Sequence, residues 1–140
     1  MRRRSLLLLL ALLAPLAASA QDRVQQFTII DDRVGDGFVA LEGMHAAVTY
    51  TGWVYDADAP DHKGRQFDAS MDPDNPFVFR IGTRRVIRGW NMGLPGMRIG
   101  GKRTLLLPPE DAYGAEGAPP MIPPYASLIF EIELHGLEQR

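Results

Sequence analysis

Cysteine is absent from this 140-residue chain. That excludes a disulfide framework, a thiolate metal site, an iron–sulfur cluster and a cysteine nucleophile. Charge of a dominant sign is absent too, since 15 Lys+Arg face 17 Asp+Glu, and the basic footprint of a nucleic-acid binder is therefore missing. No apolar run reaches the ~20 residues needed to span a bilayer. No Gly-x-Ser-x-Gly elbow offers a hydrolase nucleophile. The three histidines, His45, His62 and His135, are scattered without ligand spacing, so a metal site is not expected. The segment Gly96-Met97-Arg98-Ile99-Gly100-Gly101-Lys102-Arg103 approaches a phosphate-cradling loop. It puts Arg103 where a Ser or Thr would hold magnesium, and a strand follows instead of a helix, so nucleotide binding is not expected.

What is present begins with a leader. Arg2, Arg3 and Arg4 precede the apolar stretch Leu6 to Leu16, and Ala18-Ser19-Ala20 has the small-x-small form of a signal peptidase site. Residues 1–20 read as a cleavable signal peptide with cleavage after Ala20, and the product is expected in the periplasm or outside the cell, without a stable membrane anchor. Residues 21–140 then carry 12 Lys+Arg and 17 Asp+Glu, a formal net charge of −5. They read as one domain that relies on its core alone.

The pattern of that domain is mostly β. Val24 to Ile30 is expected as a first strand, with Asp31 to Gly37 as a turn. Met44 to Tyr55 alternates, with Met44, Ala46, Val48 and Tyr50 on one face. Arg65 to Asp68, Pro76 to Ile81 and Gly101 to Leu107 read as further strands, the last stopped by Pro108-Pro109. Ser127 to Leu137 is the clearest: Leu128, Phe130, Ile132 and Leu134 share one face, while Glu131 and Glu133 lie on the other, read as a solvated face. One short helix fits the remainder, capped by Thr83, with Val86, Ile87, Trp90 and Leu94 on one side and Pro95-Gly96 ending it. An antiparallel sheet with an apolar face needs a cover. The fold class is thus α+β, a curved antiparallel sheet, or half-barrel, wrapped around one short α-helix.

Seven strings then occur in order: Val48-Thr49-Tyr50-Thr51-Gly52, Gln66-Phe67-Asp68-Ala69-Ser70, Pro76-Phe77-Val78-Phe79, Val86-Ile87-Arg88-Gly89-Trp90, Ala112-Tyr113-Gly114, Ile122-Pro123-Pro124 and Leu128-Ile129-Phe130. Together they resemble the FKBP-type peptidyl-prolyl cis-trans isomerases from about residue 24 to the C-terminus. The resemblance implies a pocket between helix and sheet that speeds rotation about X-Pro bonds. It implies Trp90 as the floor, Tyr50, Phe67, Asp68, Ile87, Tyr113 and Phe130 as catalytic residues, and Phe77, Val86, Met121 and Ile122 as substrate-binding ones. Asp68 would be the pocket's main charged group. No cofactor is implied, because isomerisation consumes nothing. The implied partners are proline-containing unfolded or partly folded polypeptides and macrolide inhibitors, met by a monomer.

The chain also departs from the family pattern. Ala69-Ser70-Met71 follows Phe67-Asp68, and Pro73 stands where some members have an arginine that pairs with the pocket aspartate. Arg80, Arg84, Arg85 and Arg88 are the candidate substitutes. Ala118-Pro119-Pro120-Met121 stiffens a loop that relatives often build from glycines or histidine. Three other readings stay open on the sequence: a proline- or macrolide-binding module without turnover, an exported holdase on the same fold, and, from composition only, a carrier for an apolar ligand.

Overall fold

The computed structural model describes residues 22–139; the expected signal peptide lies outside the described residues. Six strands form one antiparallel sheet: β1 (Thr28–Arg33), β2 (His45–Tyr55), β3 (Lys63–Ser70), β4 (Phe77–Arg80), β5 (Lys102–Leu107) and β6 (Leu128–Glu138). Their order is β1-β5-β6-β2-β3. The same edge of β2 takes two partners in succession, β4 along residues 45–48 and β3 along residues 50–55. One helix, α1 (Arg88–Gly93), covers the apolar face, as expected.

The alternation in β6 explains why the core sits where it does. Leu128, Phe130, Ile132 and Leu134 are each no more than 3% exposed and meet Ala46, Val48, Phe79, Leu105, Leu107 and Trp90 in one apolar cluster. Glycine sets how closely the helix approaches. A Cβ on Gly89 would lie 2.2 Å from Leu107 Cδ2, and one on Gly93 would lie 2.5 Å from Leu105 Cδ1. These residues are four apart, hence on one helical face, and their bare backbone lets α1 lie directly on β5.

Two expectations about local structure are corrected. The first strand starts at Thr28 and continues through Asp31-Asp32-Arg33, residues whose turn propensity pointed to a loop. Tertiary partners override that propensity: Arg103 donates to the Asp31 carboxylate at 2.7 Å, and Thr104 donates to Asp32, while β1 pairs along β5 from Thr28↔Leu106 to Arg33↔Lys102. The second correction concerns the helix start. Thr83 does not cap it; its hydroxyl donates back to Arg80 O, and Ile87 occupies the cap position in extended conformation without a side-chain bond. Asn91 instead reaches from the helix to the preceding loop, accepting from Gly82 N–H and donating to Thr83 O. Val86 and Ile87 therefore precede the helix instead of sharing its face.

The discarded phosphate-loop string has a structural use. Arg103 is 7% exposed and donates to Gly93 O at 2.8 Å and Pro95 O at 3.2 Å, besides pairing with Asp31. It ties the end of α1 to the sheet.

On the outer face, Glu131 is less solvated than expected, for it pairs with both Lys63 and Lys102, the latter at 3.6 Å. Burial raises the Glu131 pKa, but the hydrogen bond and charge of Lys63, with the charge of Lys102, outweigh it and bring the carboxyl below its ordinary value of 4.5. A depressed carboxyl contributes stability above its unfolded pKa and loses it as pH falls through the folded one. Glu131→Gln is therefore expected to lower unfolding free energy by roughly 1 kcal/mol at neutral pH. In urea titrations the gap from wild type should shrink below about pH 4.5; a gap independent of pH would contradict this role.

Candidate active site

Between α1 and the concave face of the sheet lies a cavity of about 500 Å³. Each wall comes from a different element. Tyr50 comes from β2, Phe67 and Asp68 from β3, Phe77 from β4, Phe130 from β6, Trp90 from α1, Val86 and Ile87 from the segment entering the helix, and Tyr113 from the loop after β5. Inward-facing strand positions two apart place Val48 in the core and Tyr50 at the cavity. Gly52, next on that face, leaves room for neighbours: a Cβ there would fall 2.6 Å from Phe67 Cζ and 2.8 Å from Phe130 Cε1.

The aromatic rings meet edge to face around the indole. Trp90 is 4.8 Å from the Tyr50 ring centroid at 84°, 5.4 Å from Phe130 at 86° and 6.0 Å from Phe77 at 79°. Phe79 supports Trp90 from the core side at 5.3 Å. Such T-shaped contacts suit the ring quadrupoles and hold each ring in a defined orientation. Trp90 is 4% exposed, and its Nε1–H is buried without a hydrogen-bond partner among the described residues.

Polar groups are few and directed. The Tyr50 hydroxyl donates to Asp68 Oδ2 at 2.7 Å. Burial, then the hydrogen bond to Asp68 and its charge, push the Tyr50 pKa well above the ordinary tyrosine value. Burial and the Asp68 charge raise Tyr113 as well. Both phenols thus remain O–H donors through the neutral range, not proton acceptors. The Ile87 N–H has no hydrogen-bond partner among the described residues and stands at the cavity wall. This arrangement can orient a peptide carbonyl and exclude water; the described residues place no nucleophile–base pair in it.

Nine of the eleven candidate site residues line this one cavity. Met121 and Ile122 do not, and their expected placement in the pocket is corrected. Ile122 is 3% exposed and packs in the core, bonded through its backbone to Ala118. Met121 points outward, its carbonyl held by Arg65 at 2.6 Å. The loop's own bridge and the Arg65 clamp, contacts without a sequence signal, turn these residues away.

Arg84 and Arg85, treated in the sequence only as candidate partners for Asp68, also line the cavity. Neither pairs with Asp68, nor do Arg80, bonded to Gly43 O, and Arg88, paired with Asp111 at 3.3 Å. The partner of Asp68 is Tyr50. A larger hollow of about 850 Å³ beside Phe38 and Leu41 contains none of the motif residues.

Comparison with known proteins agrees with this geometry. Residues 39–135 match the model of the FKBP-type peptidyl-prolyl cis-trans isomerases. The chain belongs to that family.

The FK506-binding protein of Neisseria meningitidis serogroup B is 45% identical over 107 residues, covering 76% of this chain and 92% of the relative. Among solved structures, AtFKBP13 superposes with a TM-score of 0.67 at 37% identity, covering 80% of this chain and 93% of that one. A peptidyl-prolyl cis-trans isomerase from Pseudomonas syringae pv. tomato gives a TM-score of 0.68 at 34% identity, covering 84% of this chain and 80% of that one. This protein is accordingly an FKBP-type peptidyl-prolyl isomerase.

Proposed function

We propose that this isomerase acts as a monomer on exported polypeptides and works through the cavity around Trp90. The observation that carries the assignment of the site is the convergence of six aromatic side chains and a single carboxylate, from separate elements, on one cavity. The leader at residues 1–20 supports the exported setting. The same apolar cavity is also the place for an FK506-type macrolide.

Rotation about an X-Pro bond requires loss of amide resonance across a barrier of ~18–20 kcal/mol. Bringing exchange from ~100 s to ~10 ms takes about 10⁴-fold, or roughly 5.4 kcal/mol. The planar amide is more polar than the twisted one, so transfer into an aromatic cavity disfavours the ground state relative to the transition state. The Ile87 N–H and the Tyr113 hydroxyl position the substrate carbonyls, at about 1 kcal/mol each. The larger share comes from desolvation and from dipoles already oriented for the twisted amide, including the Tyr50–Asp68 pair.

The test follows X-Pro exchange in a short peptide by NMR line shape with catalytic amounts of purified protein. Asp68→Ala should lower kcat/KM by about tenfold, as loss of one oriented hydrogen-bonded charge. Unchanged activity in Asp68→Ala and Asp68→Asn would remove Asp68 from the mechanism and leave the aromatic cavity intact. N-terminal sequencing of the protein from its source should begin at Gln21; a retained leader would overturn the exported reading.

A further inference from the structure

From residue 75 to residue 109 the chain has seven Lys/Arg and no Asp or Glu, although residues 21–140 as a whole are acidic. Five of these seven cations are engaged. Arg80 donates to Gly43 O, Arg88 pairs with Asp111, Arg98 donates to Gly37 O, Lys102 pairs with Glu131, and Arg103 is held by Asp31. The two that remain, Arg84 and Arg85, are exposed, have no hydrogen-bond or ion-pair partner among the described residues, and line the cavity that holds Trp90 and Ile87. Asp68 lines the same cavity but forms no ion pair with either; its near partner is the Tyr50 hydroxyl, so two guanidiniums face one carboxylate there.

We propose that Arg84 and Arg85 select substrates carrying Asp or Glu beside the isomerised proline. The inference rests on the isomerase reading of the cavity and adds a substrate class to it. Two permanently charged guanidiniums at the mouth of an aromatic cleft act over a low-dielectric wall, which focuses their field on a bound chain. They offer planar, paired donors that fit a carboxylate. A lysine at the same substrate position meets like charge. Exposed pairs are weak singly, but attraction for Glu and repulsion of Lys add in the comparison of the two peptides.

The experiment uses three peptide series of one proline sequence, with Glu, Gln or Lys placed in turn on the N-terminal or the C-terminal side of the proline, and follows exchange by NMR without a coupling protease. The wild type should favour Glu over Lys by about tenfold in kcat/KM in at least one series at low salt, mainly through KM. That ratio should fall to about twofold near 0.5 M salt, where the Debye length is only a few ångströms. R84Q/R85Q should bring the ratio close to one, R84E/R85E should invert it, and R23Q, at an exposed arginine that does not line this cavity, should keep the wild-type ratio. Acceleration of all three peptides alike overturns this inference and leaves the isomerase reading standing. A ratio that survives R84Q/R85Q, or that ignores salt, also overturns it. Failure to accelerate even the Gln peptide refutes the isomerase reading itself.

Discussion

Trp90→Ala is expected to reduce kcat/KM for X-Pro exchange by at least about a hundredfold, roughly half of the 10⁴-fold acceleration on a logarithmic scale. The indole is in ring contact with Tyr50, Phe77, Phe79 and Phe130, so its loss removes the floor and releases the walls together. Truncation of a buried tryptophan also costs about 3–5 kcal/mol of stability, and activity must be measured where circular dichroism shows the variant folded. Trp90→Phe is the companion variant, since it keeps an aromatic floor with a smaller volume change. Its expected activity lies between wild type and Trp90→Ala. A folded Trp90→Ala protein with wild-type kcat/KM would mean that the aromatic cavity is not the catalytic apparatus.

The second large effect is on stability, at a residue outside the cavity. Arg103→Ala is expected to lower unfolding free energy by about 3 kcal/mol, because it leaves Gly93 O and Pro95 O without their donor and opens a void at the end of α1. Asp31→Ala should cost no more than about 1 kcal/mol, since the Asp31 side chain is 43% exposed and its pairing is screened by water. Chemical denaturation of both variants decides between the two functions of Arg103. Equal losses would show that the ion pair, and not the anchoring of the helix carbonyls, carries its contribution. Because Trp90 sits on the same helix, Arg103→Ala should also weaken catalysis in the fraction that remains folded.

The elements legible in the sequence are those with a strong local period. The alternation of Val48 and Tyr50, and that of Leu128, Phe130, Ile132 and Leu134, made one face of β2 and of β6 apolar, and both strands appear within a residue of their expected bounds. The helix was legible through Trp90, Leu94 and the Pro95-Gly96 stop, but its start was not. Thr83 carries the side chain of a cap, yet its hydroxyl is committed to Arg80 O, and Asn91 fixes the loop that precedes the helix. The Asp31-Asp32 pair has the composition of a turn and is a strand because β5 supplies Arg103 and Thr104 opposite it.

The same division holds at the site. Motif order in the sequence was enough to name Tyr50, Phe67, Asp68, Phe77, Val86, Ile87, Trp90, Tyr113 and Phe130, and the fold brings all nine to one cavity. Met121 and Ile122 followed the same motifs but lie elsewhere, because the loop closes on itself through Ala118 and is clamped by Arg65. Which of four nearby arginines would meet Asp68 had no answer in one dimension, since side-chain pairing depends on distances set by the packing of β2 against β3; the answer is none of them, and Tyr50 takes the place. Composition and period thus determined the class of fold and the burial of the sheet's inner face, which depend on spacing along the chain, while the aromatic pocket was legible only through the family resemblance that the ordered motifs carry. The direction of each polar side chain, the departure of Met121 and Ile122, and the two arginines at the cleft without a partner among the described residues were decided only by tertiary structure, because a hydrogen bond or an ion pair depends on ångström-scale separation between residues distant in the chain.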